Sequence, residues 1–135
     1  MSLIFDKIFE YGYHDAELTF IDNEEMILKL YFENGLYNLD AQGVELELSK
    51  PIFLCLKINS KFKCIDNIIE IVDLSSKKNI YIEYKDFQRL LKKDCCPISN
   101  LYFSGFNETI LIDCSLKSKR IQITIEGIEE VLFLY

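Results

Sequence analysis

From Ala16 almost to the last residue, apolar side chains recur at every second position. Ala16, Leu18 and Phe20 alternate with Glu17 and Thr19, and Met26, Leu28, Leu30 and Phe32 alternate with Ile27, Lys29, Tyr31 and Glu33. Val44, Leu46 and Leu48 flank Glu45 and Glu47, and Ile121, Ile123 and Ile125 flank Gln122 and Thr124. An extended chain turns successive side chains to opposite faces, so this pattern makes strands with one buried and one wetted face. Nineteen isoleucines and ten phenylalanines supply the branched and aromatic side chains that suit a pleated, half-buried surface.

Turn chemistry divides the pattern into short strands. Residues 14–21 and 25–33 read as strands joined by Asp22-Asn23-Glu24, Asn34-Gly35 as a turn, and Asp40 to Gly43 as a second loop. Strands at about 44–49 and 52–58 are separated by Lys50-Pro51, where proline marks a bulge or a corner between sheets. Asn59 to Lys63 is turn-like, and Ser75 to Lys78 splits strands at about 65–74 and 79–84. The last four strands are expected at about 98–105, 109–117, 119–126 and 129–134. Ile4, Phe5, Ile8 and Phe9 suggest a short helix or packed arm, and the one clear helix is 85–93, with Phe87, Leu90 and Leu91 on one stripe and Pro97 beyond it. The chain of 135 residues therefore reads as one mainly β domain, residues 1–135. Its architecture is a single antiparallel β-sandwich or open barrel of about nine or ten strands, with the helix plugging an end or covering a sheet.

The N-terminus MSLIFDKIFE carries Asp6, Lys7 and Glu10, which interrupt any signal-peptide apolar region. No stretch is long and apolar enough for a membrane span. Five cysteines (Cys55, Cys64, Cys95, Cys96 and Cys114) form an odd set with no CxxC pair, which fits reduced thiols and a cytoplasmic protein better than a disulfide framework or a zinc site.

The net charge of −7 is unevenly spread. Residues 1–47 hold 11 acidic side chains against Lys7 and Lys29 alone, whereas residues 48–135 are slightly basic. An acidic half repels phosphates and steers a basic partner instead, although acidic side chains on wetted strand faces also serve solubility. Lys77, Lys78, Lys85, Arg89, Lys92 and Lys93 gather near the helix, but Glu83, Asp86 and Asp94 are interleaved and no nucleic-acid motif accompanies them. A solvated helix face accounts for them better.

Little points to catalysis. His14, the only histidine, precedes Asp15, a pairing that serves hydrolases as a base, yet no nucleophile motif is present and a turn-capping role is the simpler account. Asp22, Glu24 and Glu25 lack the glycine and distal glutamate of a calcium loop. Five scattered glycines make no phosphate loop, and Asn107-Glu108-Thr109 matches a glycosylation sequon that a cytoplasmic protein would not use. No cofactor is indicated.

The segment Tyr13-His14-Asp15-Ala16-Glu17-Leu18-Thr19-Phe20-Ile21 resembles the opening strand of small all-β bacterial proteins that begin with aromatic-His-Asp-(Ala or Ser)-x-aliphatic. Some of these are presumed immunity proteins of polymorphic toxin systems. The resemblance covers nine residues and implies a cytoplasmic, partner-binding role, with no site residue carried over. The first expectation is thus a non-enzymatic protein that binds a basic protein partner on the surface of its first two strands. Asp22, Glu24 and Glu25 would crown the hairpin, and Tyr31 would serve as anchor. The alternative is a small-ligand-binding barrel or enzyme with Tyr31, Tyr37, Tyr81 and Tyr84 about its mouth. A homodimer through an exposed sheet edge is the third. Nucleic acid and membrane are not expected partners.

Overall fold

The computed structural model describes residues 3–62 and 64–135, with Asn107 described by its backbone alone, so Met1, Ser2, Lys63 and the Asn107 side chain of the sequon lie outside the described residues. The chain is mainly β, with every strand pair antiparallel. In chain order the elements are α1 (Leu3–Ile8), β1 (Tyr11–Gly12), β2 (Glu17–Leu18), β3 (Phe20–Glu24), β4 (Ile27–Phe32), β5 (Tyr37–Leu39), β6 (Glu45–Leu48) and β7 (Ile52–Ile58). A single 3-10 turn (Ile65–Asn67) then precedes β8 (Ile69–Asp73), β9 (Ile80–Ile82), α2 (Tyr84–Leu91), β10 (Cys96–Ser104), a second 3-10 turn (Phe106–Glu108), β11 (Thr109–Leu116), β12 (Lys119–Ile125) and β13 (Ile128–Leu134).

Two larger sheets carry the core. One has the order β2-β10-β11-β12-β8-β9 and the other β13-β7-β4-β3, with a small third sheet β1-β5-β6. The isoleucine alternation acts as expected: Ile121, Ile123 and Ile125 of β12 are buried and pair with Cys114, Ile112 and Ile110 of β11. On the other sheet Leu28, Leu30 and Phe32 of β4 face inward beside Ile52, Leu54 and Leu56 of β7. These residues belong to one apolar cluster that also takes in Phe87 and Leu91 of α2. Helix α2 packs on β3 and β8, so it closes the gap between an edge of one sheet and the outer strands of the other.

Thirteen strands among the described residues exceed the nine or ten expected, for two reasons. β1 and β5 are too short to alternate visibly. The expected strand 14–21 is split: the chain leaves β2 in one sheet, crosses at Thr19 and enters β3 in the other. Thr19 holds that crossing, because its amide and hydroxyl both donate to the Tyr31 carbonyl and its hydroxyl accepts from Glu33 N.

The β4–β7 ribbon bends after Phe32 and Ile52 into the β5–β6 hairpin. Gly35 sits at the bend with φ of 86°, where a Cβ would collide with the Ser49 carbonyl oxygen. Pro51 marks the matching corner on the other strand, as its position suggests.

Candidate functional site

The β3–β4 hairpin places the expected binding residues, with one correction to its turn. Glu24 pairs with Ile27, so Glu25-Met26 forms the two-residue turn, and Asp22-Asn23-Glu24 belongs to the strand. Glu25 and Met26 take φ of 51° and 62°, the left-handed conformation that a tight hairpin demands at both central positions. Asn-Gly or Asp-Gly would have signalled such a turn, whereas Glu-Met does not.

On the outer face of the β13-β7-β4-β3 sheet, register alone builds three cross-strand rows. The first is Phe20, Tyr31, Phe53 and Leu134, the second Asp22, Lys29, Cys55 and Leu132, and the third Glu24, Ile27, Lys57 and Glu130. Tyr31 and Phe53 stack with ring centroids 4.4 Å apart, and both are half-buried. Leu132 and Leu134 remain 50% and 43% exposed, so the aromatic row runs out to an apolar sheet edge. Asp22, Glu24 and Tyr31 therefore share one face, and Glu25 sits exposed at its tip. Lys29 stands directly opposite Asp22 and pairs with Glu24 at 3.2 Å, which neutralises part of the expected negative charge. Phe20 and Phe53 complete this surface. No sequence signal aligns them with Tyr31, because only strand register brings them together.

The Tyr13–Ala16 segment leads from β1 into β2 and is fastened to α1 and to β10. Tyr13 is buried and donates its hydroxyl to the Ile8 carbonyl at 2.8 Å, and burial keeps its phenol protonated far above the usual range. Asp15 adopts φ of 65°, its amide bonds the Ile98 carbonyl, and Ile98 N returns a bond to Ala16 O. His14 Nδ1 donates to the Ser99 carbonyl at 2.8 Å, and its Nε2 lies 3.4 Å from Asp15. The ring thus bonds a carbonyl of β10 rather than capping the turn amides. The Ser99 bond, the carboxylate of Asp15 and that of Glu45 raise the imidazole pKa. With 62% of the His14 side chain exposed, this is a hydrated joint on the surface.

A half-open cleft of about 780 Å³ lies where β9 ends and turns into α2, leaving the start of β8 without a strand on that side. Asp66, Glu70, Glu83 and Glu126 line it with Lys85 as the cation, and Tyr81 and Tyr84 form part of its wall. Of the four tyrosines expected about a barrel mouth, these two come together here, while Tyr31 and Tyr37 lie on other sheets. Gln88 Nε2 donates to the Ile21 carbonyl and to Tyr84 Oη, and burial raises the Tyr84 phenol pKa with help from Asp22.

Cys55, Cys96 and Cys114 are buried, and Cys64 and Cys95 are exposed. Hydrogen bonding with Cys96, followed by burial, raises the Cys114 thiol pKa, and burial raises that of Cys55. Among the described residues no group of three or more His, Cys, Asp or Glu is arranged to hold a metal ion, and no helix is long and apolar enough to cross a membrane. On α2, Arg89 pairs with Asp86 at 3.1 Å. No protein-family model, curated protein or solved structure matches the chain.

Proposed function

We propose that this is a cytoplasmic binding protein of the immunity or interaction type, which takes a basic protein partner on the surface made by β3 and β4. One observation carries the reading: Phe20, Tyr31 and Phe53 stand in a single row beside Asp22 and Glu24, with Glu25 at the hairpin tip. A row of aromatics on a rigid sheet buries area at low entropic cost, and carboxylates at its border steer a cationic surface to it. The aromatic-His-Asp-Ala opening agrees with such a role, since its residues fasten α1 and β10 to the chain between them. The odd set of thiols, three of them buried, suits a reducing compartment.

The test is association kinetics with the product of the adjacent gene, using the triple variant Asp22→Lys, Glu24→Lys, Glu25→Lys and the single variant Tyr31→Ala. The triple variant is expected to slow association by an order of magnitude or more at unchanged stability, and Tyr31→Ala to speed dissociation. Unaltered kinetics in both, or a partner of acidic pI, removes the reading.

A second reading rests on the β8–β9–α2 cleft. Its four carboxylates against one lysine, with Tyr81 and Tyr84 alongside, suit a small organic cation. Saturable binding of a polyamine that Glu83→Gln weakens would favour it.

A further inference from the structure

We infer that the β5–β6 hairpin is a second docking element, built to receive an extended segment with both basic and apolar side chains from another protein. The inference rests on the reading of this protein as a binder of basic partners, and it locates a contact on a different sheet from the Tyr31 row. From Leu30 to Ser49 the chain contains no lysine or arginine, while Glu33, Asp40, Glu45 and Glu47 fall within it. Among the described residues no lysine or arginine makes an ion pair with Glu33, Glu45 or Glu47, in contrast to Glu24 with its Lys29.

Every residue from Ala41 to Leu48 is exposed, and Val44, Leu46 and Leu48 are 58%, 47% and 41% exposed. Two large aliphatic side chains in one short strand, with a third (Val44) just before it, and no core to bury them are an unusual expenditure in a small protein. β6 is also the edge of its sheet and is paired on one side by β5. An edge strand offers unpaired amides and carbonyls to an incoming extended chain.

The hairpin is nevertheless held in one shape by local polar bonds. Asp40 Oδ1 accepts from Gln42 N at 2.8 Å and Val44 N at 2.9 Å, Asn38 Nδ2 donates to the Glu47 carbonyl, and Ser49 Oγ accepts from Leu36 N. Its shape is therefore set before any partner arrives, which lowers the entropic cost of docking.

Charge selects the occupant. Two copies of β6 paired antiparallel about a two-fold axis would bring Glu45 and Glu47 against one another, and like charges facing across strands are unfavourable. A segment carrying lysine or arginine meets the same glutamates favourably and offers its aliphatic residues to Val44, Leu46 and Leu48.

The experiment titrates isotope-labelled protein with a short peptide of alternating lysine and valine, using a glutamate–valine peptide as control. Amide shifts are followed throughout the chain. Shifts concentrated at residues 37–48, with affinity lowered tenfold or more by Glu45→Lys with Glu47→Lys, are expected. Asp86→Lys with Asp94→Lys, which alters net charge equally, should change affinity less than threefold. Leu46→Ser, which leaves the charge intact, should weaken binding at least threefold. Shifts confined to residues 20–31 would overturn the hairpin inference and leave the β3–β4 reading standing. Equal binding of both peptides, or no binding, would overturn the hairpin inference and leave the β3–β4 reading to its own test with the neighbouring gene's product. Concentration-dependent dimerisation through residues 44–48 would overturn the choice of occupant.

Discussion

His14 and Ser99 are joined by a 2.8 Å hydrogen bond from imidazole Nδ1 to a backbone carbonyl 85 positions away in sequence, beside the irregular register of β10 between Ile98 and Asn100. The bond ties the turn that leads into β2 to β10, the strand with which β2 pairs in the same sheet. The ring is satisfied on both sides when it carries a proton, with Ser99 O accepting from Nδ1 and the Asp15 carboxylate close to Nε2.

The folded-state pKa of His14 accordingly lies above its ordinary value of 6.5, through the Ser99 bond first and Asp15 second. A raised histidine pKa stabilises the fold fully below the unfolded value, and this stabilisation fades as pH rises through the folded value. His14→Ala should therefore lower the melting temperature more on the acid side of 6.5 than two units above it. A melting-temperature difference that is constant with pH would show that the protonated ring adds nothing to stability.

The β3–β4 turn is strained where the sequence chose no glycine or asparagine. Glu25 holds φ of 51°, and a left-handed conformation costs an ordinary residue roughly 1–2 kcal/mol. Asn tolerates this region, so Glu25→Asn should stabilise the protein by about 0.5 kcal/mol in urea denaturation, with unchanged m-value. Loss of stability would mean that the turn takes another form in solution.

The strand pattern was legible because alternation reports burial directly: β7 spans the expected Ile52–Ile58, and β11 and β12 differ by a residue at most. Less legible was everything set by pairing between distant strands. Leu18 and Phe20 continue one alternation in the sequence, yet they belong to different sheets because the chain crosses at Thr19. Tyr31 stood out in the sequence as an aromatic among charges, but its neighbour Phe53 did not, since 22 positions separate them and only the β4–β7 register aligns their rings. The negative charge of Glu24 was visible, whereas its neutralisation by Lys29 required the hairpin turn to be placed at Glu25-Met26.

Helix α2 is held by Phe87, whose side chain is fully buried between β3 and β8 together with Leu91. Phe87→Ala should cost about 3–5 kcal/mol, as large aromatic truncations in cores do. Amide exchange should show α2 and β9 opening before β11 and β12. A loss below 1 kcal/mol would contradict the packing of this helix as the closure of the core.

Thiol labelling distinguishes the five cysteines. In the native protein the exposed Cys64 should react first, and Cys95 more slowly, because partial burial and Glu17 raise its pKa. Cys55, Cys96 and Cys114 should react only on unfolding, giving five thiols in denaturant. Rapid native labelling of Cys114 would show that the β10–β11 region opens readily.

The most direct measurement of the central claim is the association rate between this protein and the product of the neighbouring gene as a function of salt. Charges act on encounter over a screening length of about 10 Å at 0.1 M. The account predicts a rate that falls steeply as salt is raised, and a much shallower dependence for the variant Asp22→Lys, Glu24→Lys, Glu25→Lys. A rate indifferent to salt, or a variant as salt-sensitive as the native protein, would contradict it.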